Sequence, residues 1–585
     1  MTQKIDPITL SAVWHTMQRV CREMRHLIDR TAQNFLIAQM HDNSVGIWDA
    51  NARTVAIPEG LPAQYVGGKL TIEYILEEYK GRIYPGDVFL LNDPHHGHCN
   101  HVADWGLVKP IFVGDELAFF ALSRAHMEDT GAAYPGAYFS NPYDIHAEGI
   151  LIPPVKVMER GVECADIWKL ILNNVRFKEG VRVDNYALIG AMNLCEQRVL
   201  EIIEKYGLET VRACVSEMIE RADKLIRKEI RNMPDGTYTG ESGTDDDGVV
   251  LDVPVWVRCA VTIRGDEMII DFTGSDPQQK GFVNCTWFTT YSSAVAAALL
   301  FFDPAMVDYH NEGTMRPITV IAPEGSVLNA QYPAPVGGAP VNMGGNIIEA
   351  VVMALSKAVP HRAVACWGRR YGHYVFGHNP RTDGLYMMPG YEAEGGAGAV
   401  YGYDGYNGTG SMGTLGNINR GNIEDIEIRY PWFMLQQEFR TDSSGAGKWR
   451  GGAGLNWGGQ NVGGEAGIHT GAGHGEKTFS PGALGGENTH PNEGWMIRNG
   501  ERSPVHCHRF YNLQTGDVIR KATGGGAGVG DPFDRDPQMV LADVVDNEVV
   551  SIEGACQTYG VIIDPRTMQV DEEATRQLRS SRKGK

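Results

Sequence analysis

The tightest constraint on this chain is a short apolar hairpin whose open end is flanked by histidines and carboxylates. Leu107–Val113 and Leu117–Ser123 are β-rich runs joined by Gly114-Asp115-Glu116. Two such runs separated by a few Gly or Asp residues close as a tight antiparallel hairpin. Turn length fixes register, so residue 104 comes opposite residue 125 or 126. The flanks read Asn92-Asp-Pro-His-His-Gly-His-Cys-Asn-His-Val-Ala-Asp104 and Ser123-Arg-Ala-His-Met-Glu-Asp129, and hold five of the 18 histidines. His101, Asp104 and His126 are therefore expected to meet at one end of the ribbon. Two imidazoles and a carboxylate on a rigid support suit a divalent metal (Mn, Zn, Fe or Mg) with positions left open for substrate or water. A lone loop histidine is more often a turn cap than a ligand; the closing register is what favours a site. Cys99 is a single thiol, read as a neighbour and not a ligand.

A chain of 585 residues exceeds one compact core, and two or three domains are expected. Its formal net charge of −20 opposes nucleic acid and anionic membrane surfaces as partners. The 10 cysteines are scattered singly, which suits a reducing compartment. Met-Thr-Gln-Lys-Ile-Asp-Pro at the N-terminus lacks an apolar signal core, and the apolar run Ala294–Phe302 is too short to span a bilayer. A cytoplasmic protein is expected.

Asp6-Pro7 is a cap followed by proline at the first helical position. Ile8, Val13, Met17, Val20, Met24 and Ile28 then recur at helical spacing, predicting a long helix to about residue 38. Residues 40 to 125 have strand character. A helical hairpin starts near Tyr186, breaks at Gly207 and stops at Pro234-Asp-Gly236. Val253–Ile263 and Met268–Phe272 read as another hairpin, and short helices are expected at 288–302 and 346–358. Beyond residue 385 glycine pairs alternate with short apolar runs containing Trp449, Trp457, Trp495 and Phe510, predicting tight turns in an all-β region. The fold class is α+β, multidomain, with mixed β-sheets. The expected division is 1–235 with the metal-site hairpin, 236–384 as a central α+β domain, 385–570 as the glycine-rich β domain, and 571–585 as a mobile or partner-bound tail.

Other clusters are weaker. Thr523-Gly-Gly-Gly-Ala-Gly-Val-Gly-Asp-Pro532 lacks the helix start that a phosphate loop needs, so no ATP site is expected in this chain. Asp245-Asp-Asp247 lacks EF-hand spacing and reads as a solvated loop. His506-Cys-His508 alternates on a strand-like run, so its two imidazoles share a face. Tyr134, Tyr138, Phe139 and Tyr143 form an aromatic group beside the histidine site, suited to an apolar or aromatic substrate.

Taken together, several segments resemble one family. They are Gly86-Asp-Val-Phe-Leu-Leu-Asn-Asp-Pro94, His101-x-x-Asp104, Ser123-Arg-Ala-His126, Glu148-Gly-Ile-Leu-Ile-Pro-Pro154, Asp271-Phe-Thr-Gly-Ser275 and Pro333-Ala-Pro335. Arg440–Gly452, Gly528-Val-Gly-Asp-Pro532 and Arg535-Asp-Pro537 complete the set. The chain is similar nearly end to end to the B chain of ATP-dependent hydantoinases, the matching half of 5-oxoprolinase, and the large subunit of acetone and acetophenone carboxylases. That resemblance implies ATP bound by a separate hydantoinase A-like actin-fold ATPase subunit, a small subunit in the complex, and the substrate site here. It also implies metal ligation by His101, Asp104 and His126. Departures from the common family pattern include Met127-Glu-Asp-Thr-Gly131 after the second histidine and Pro62-Ala-Gln-Tyr-Val-Gly67, which lacks a usual histidine.

Ketone carboxylation ranks first on this reading, an acetophenone- or acetone-like ketone plus bicarbonate giving a 3-oxo acid. Arg124 would neutralise phosphate or bicarbonate, and Glu128 or Asp129 would orient a ligand or act as base. The alternatives are an ATP-dependent hydrolase of hydantoin- or 5-oxoproline-type cyclic amides and a non-catalytic scaffold subunit.

Overall fold

The computed structural model describes residues 5–58, 60–136 and 138–583. The fold is α+β, with several sheets and a long N-terminal helix. It divides into two compact units that interleave in sequence. The first runs to Thr237 and takes in Ala260–Gly344 and Asn417–Gly421; the second comprises Tyr238–Cys259, Gly345–Gly416 and the chain from Asn422. No helix among the described residues is long and apolar enough to cross a membrane.

In the first unit, helix α1 (Pro7–Thr31) starts where the Asp6 carboxylate accepts the Thr9 amide at 2.9 Å. It buries Leu10, Val13, Met17, Val20, Met24 and Ile28, the three- and four-residue spacing of one apolar stripe. The sequence placed its end near residue 38; instead it stops at Thr31, and a separate turn, Phe35–Ala38, follows an Asn34 cap. The helices Lys178–Tyr206 and Leu208–Arg231 meet at Gly207, whose φ of 81° suits glycine.

A seven-stranded antiparallel sheet contains β1 (Asn43–Asp49), β2 (Thr54–Ala56), β3 (Val88–Leu91), β4 (Asp104–Val113), β5 (Glu116–His126), β6 (Val155–Glu159) and β7 (Val162–Glu163). Their order is β2-β1-β5-β4-β3-β6-β7. Both faces are covered, and the alternation of β4 and β5 divides cleanly between two cores. Trp105, Leu107, Phe119 and Ala121 join α1 and the long helices. Val108, Phe120 and Leu122 join Trp48, Ile72 and Ile75 on the opposite face. Ile72 and Ile75 belong to the helix Gly68–Glu78, which lies within the stretch read from sequence as strand. Ile72, Ile75, Leu76 and Tyr79 recur at helical spacing, a signal that reading the whole stretch as strand passes over. Pro110, which cannot donate to a ladder, lies beyond the β3 pairing, which spans Gly106–Val108. Elsewhere in this unit, Glu267–Asp271 pairs antiparallel with residues 260–264 and parallel with Ile318–Ile321.

The second unit shows what its glycines are for. Tight turns account for only part of them. Many others lie where extended segments pack backbone on backbone, with no room for a side chain. A Cβ on Gly526 would sit 1.8 Å from the Ala397 carbonyl oxygen, and one on Gly451 would sit 1.8 Å from that of Gly526. Hydrogen bonds knit the segments: Gly526 N donates to Gly452 O, Gly452 N to Ala397 O, and Ala527 N to Cys366 O, at 2.8–2.9 Å. The amides of Gly525 and Gly526 are consumed in this packing and cradle no anion. Around it stand a four-stranded and a five-stranded sheet, and the helices Pro537–Val545 and Ile552–Tyr559. The segment read as a mobile tail is helical over Glu572–Lys583, and Arg579 donates to the carbonyls of Tyr559 and Arg535.

Asp245, Asp246 and Asp247 are not a solvated loop. All three are at most 4% exposed, and their carboxylates gather backbone amides. Asp245 alone accepts from Gly475, Glu476, Lys477 and Thr478 at 2.7–3.0 Å. The partners lie over 200 residues away, so no local pattern marks them. His506 and His508 do not share a strand face: His506 bonds Glu476, while His508, at a φ of 57°, bonds Asp246.

Candidate metal centre

The hairpin closes as its sequence dictates. Gly114 takes a φ of 62° in the turn, and Asp104 stands directly opposite His126. Opposed residues share a face, here the one carrying Val108, Phe120 and Leu122. His101 arrives from the loop between β3 and β4, held by Asn92, whose amide donates to Val102 O and Ile150 O at 2.8 and 2.9 Å. Asp93 accepts the His95 and His96 amides and pins the loop's start.

His101, Asp104 and His126 each offer a donor atom within 4.8 Å of the other two. Asp104 Oδ1 lies 3.2 Å from His101 Nε2 and 3.6 Å from His126 Nδ1, and the imidazole centroids are 5.0 Å apart. Donors about 2.1 Å from one ion lie about 3.4 Å apart in a tetrahedron, so these separations suit ligands of a shared cation. All three side chains are buried, 1–2% exposed. The Nε2 atoms of His101 and His126 make no hydrogen bond. An unpartnered buried polar atom costs about 1–3 kcal/mol, a cost that a bound cation relieves. The donor set of two imidazoles and one carboxylate fits a divalent ion.

The electrostatics hold the carboxylate ionised. Burial alone would raise the Asp104 pKa, but His101 and His126 beside it hold it far below the usual range. Burial pulls His101 down, and the negative charge of Asp104 beside it, 3.2 Å away, outweighs it, leaving a net rise. Asn100 Nδ2 donates to Asp104 Oδ2 at 2.7 Å, and Gln64 Nε2 reaches Oδ1 at 3.3 Å while donating to Asp42 at 2.8 Å. His101 Nδ1 pairs with Gly337 O at 2.9 Å. A carbonyl only accepts, so that nitrogen carries the proton and Nε2 is left with a lone pair facing Asp104. Glu148, fully buried, accepts the amides of Val336 and Gly337 at 3.2 and 2.7 Å. Burial pushes its carboxyl up to about 8, against those two amides and His101.

The other expected residues sit differently. Arg124 is buried on the same sheet face, and glycine opposite it at 106 leaves a lane for its side chain. Its guanidinium donates to Gln64 O at 2.8 Å, Thr71 Oγ1 at 3.0 Å and His98 O at 3.3 Å, and lies 4.8 Å over the Phe288 ring. It ties together the loops that carry His101 and Gln64. Asp129 is buried and accepts from the Arg176 guanidinium at 2.7 Å and the Arg176 amide at 2.5 Å. Glu128 lies beside Gly180 at the start of the helix Lys178–Tyr206. Of the four aromatic residues, Tyr138 reaches the site, its ring 5.5 Å from both imidazoles. Tyr143 is 96% exposed and no part of a wall. His95 bonds Ala334 O, His96 bonds Asp93, and His98 packs on Tyr74, so three of the five flanking histidines stand apart.

Reasoning from residue patterns alone did not single out Glu148, Gly337, Asn100 or Gln64 as site residues. Gly337 lies 236 positions beyond His101, and a backbone carbonyl leaves no side-chain signature. Gln64 occupies the Pro62-Ala-Gln stretch, where the missing histidine was the one available signal.

Known proteins share this sequence and shape. The beta chain of the caprolactamase of Pseudomonas jessenii is 32% identical, with 99% of each chain aligned. The crystal structure of the ATP-dependent caprolactamase from that organism matches with a TM-score of 0.91 and 31% identity, over 99% of this chain and 100% of that one. A Pseudomonas sp. (strain NS671) protein assigned as the B chain of a D-/L-hydantoinase is 31% identical over 99% of this chain and 98% of its own. Acetone carboxylase, in its nucleotide-free structure, shares the fold at a TM-score of 0.89 and 20% identity, over 99% of this chain and 83% of that one. Residues 6–532 carry the signature described as Hydantoinase B/oxoprolinase, and the chain belongs to that family.

Proposed function

We propose that this chain is the substrate-holding subunit of an ATP-dependent enzyme that opens a small cyclic amide, a lactam or a hydantoin. The observation that carries the reading is the convergence of His101, Asp104 and His126 in one buried cluster. The cyclic amide is favoured because relatives near one-third identity include a caprolactamase and a protein assigned as part of a hydantoinase. Sequence alone ranked ketone carboxylation first; these similarities reverse that order. ATP is assigned to a separate actin-fold ATPase subunit, since no phosphate-binding loop of the known kinds occurs here.

A divalent cation held by the three residues would supply Lewis-acid polarisation of the amide carbonyl. The chain's own residues do the rest. Asp104 stays ionised and offers one negative charge. His101 presents a lone pair at Nε2 because its protonated Nδ1 donates to the Gly337 carbonyl. Tyr138 covers both imidazoles, screening them from water and offering an apolar surface to a ring. Arg124 and Asp129, already engaged within the protein, act as positioning residues of the loops on either side of the ribbon.

Ketone carboxylation is the second reading, favoured by the aromatic ring of Tyr138 against the imidazoles. The test is turnover by the purified complex with its ATPase subunit and ATP. Ring opening of caprolactam or a hydantoin is the expected result. Incorporation of labelled bicarbonate into a ketone, with no ring opening, overturns it.

A further inference from the structure

Glu148 touches none of the three candidate ligands, yet it determines what His101 can do. Its carboxylate accepts two consecutive amides, Val336 N at 3.2 Å on Oε2 and Gly337 N at 2.7 Å on Oε1. Two bonds from one carboxylate to adjacent amides fix the backbone entering Gly337, and Gly338 N, in the same peptide as the Gly337 carbonyl, donates to Phe282 O. The carbonyl of Gly337 then points at His101 Nδ1, 2.9 Å away. Segment 336–337 is otherwise glycine-rich, continuing into Gly338, and is held near the site by this clamp and by Gly338 N donating to Phe282 O. Glu148 is fixed in turn: it ends a short 3-10 turn, Ile145–Glu148, capped by Asp144, and its own carbonyl accepts the Thr130 hydroxyl at 2.8 Å. Thr130 lies four residues past His126, so the relay is anchored beside the second imidazole as well.

We propose that Glu148 is a positioning residue of the metal centre, acting through the backbone of residues 336–337 and the Gly337 carbonyl to lock His101 in the tautomer and ring orientation that leaves Nε2 for a cation. The proposal rests on the metal reading given above and names a further residue that the site requires. Partners that orient a ligating imidazole typically alter metal affinity 10–100-fold when removed. Glu148→Gln tests it with little change of volume. An amide has one acceptor and one donor end, so one of the two hydrogen bonds from the peptide N–H groups is lost and an N–H faces an N–H.

The experiment titrates the metal-free full-length protein with Co(II), reading the dissociation constant and the visible d–d spectrum, with circular dichroism and thermal melting alongside. The expected result is a dissociation constant raised 10–100-fold and an altered spectrum in a variant that still folds. A purely structural Glu148 would lower the melting temperature but leave the affinity and spectrum of the folded fraction unchanged, and that result overturns the proposal. Should Glu148→Gln fail to fold, Glu148→Asp keeps the charge but shortens the reach to both amides; a parent-like dissociation constant there overturns it equally. A parent protein that binds no Co(II) overturns the metal reading itself, an outcome distinct from a parent that binds and a variant that binds equally well.

Discussion

Replacing Asp104 by Asn removes the one formal negative charge among the three converging donors while keeping nearly the same shape. In the native site both carboxylate oxygens accept from amide groups, Asn100 Nδ2 and Gln64 Nε2. The side-chain amide introduced at position 104 would turn its NH₂ group toward one of those donors. Neither neighbour turns over freely, because Gln64 Oε1 already accepts the Ser44 hydroxyl at 2.9 Å and Asn100 Oδ1 faces Thr289 Oγ1 at 3.4 Å. The metal-free variant should therefore lose about 1–3 kcal/mol, the cost of an unsatisfied buried donor. The larger signature is in the response to metal. A cation at 100 times its dissociation constant stabilises the parent by about 2.7 kcal/mol. For a unit of about 330 residues, roughly 1.5 °C per kcal/mol makes this a melting shift of about 4 °C. A 100-fold loss of affinity on removing the anionic ligand leaves about 0.4 kcal/mol at the same concentration, under about 1 °C. The assay is differential scanning calorimetry of both proteins in chelator and in Mn(II) or Zn(II). Comparing shifts rather than baselines separates ligation from packing. A variant whose metal-induced shift equals the parent's would refute the assignment of Asp104.

Further outcomes follow from other parts of the structure. His101→Ala in the assembled complex should cut ring opening about 1000-fold, the equivalent of roughly 4 kcal/mol of carbonyl polarisation; full activity with normal assembly would instead mark the chain as a scaffold. Gly526→Ala drives a Cβ to 1.8 Å from a carbonyl oxygen, and should cost the second unit about 3 kcal/mol or more, read as a lowered urea midpoint. Asp246 should give that unit an acid-sensitive edge. Burial would raise its carboxyl, but the hydrogen bond and charge of His508 and the amides of Asp252 and Gly248 bring it from 3.8 to about 2. A folded pKa below the unfolded one contributes stability above about pH 4 that is lost as pH falls through 2, here about 1–2 kcal/mol. Asp246→Asn should flatten stability against pH across that window, measured by denaturant unfolding at pH 5, 3.5 and 2.5.

What was legible in the sequence is what local periodicity and turn chemistry control. The hairpin, its register and the Asp104–His126 opposition all follow from a short glycine turn between two alternating strands. The cap at Asp6 and the break at Gly207 were visible for the same reason. Glycine density beyond residue 385 was visible too, but its meaning was not. Composition reports that side chains are missing; it does not distinguish a chain that turns from one that must lie against another backbone. Asp245 was misread because a carboxylate surrounded by distant amides looks, in sequence, like one surrounded by water.

The candidate site divides along the same line, and the division has a physical logic. Residues that would donate to a cation must carry lone pairs on side chains, so they appear as His and Asp and can be read. Groups that orient those donors need only a dipole, and the backbone supplies dipoles at every position. The Gly337 carbonyl is therefore indistinguishable from hundreds of others until the fold brings it to His101. Glycine there lets the chain pass close. The Gly338 amide anchors one side of that carbonyl on Phe282 O, and the Glu148 carboxylate, spanning the two preceding amides, anchors the other. A fully buried acid is costly to retain for packing alone, since a methionine or leucine would fill the volume without desolvating a polar group. The cost makes sense where orientation of a neighbouring imidazole is what the fold has to secure.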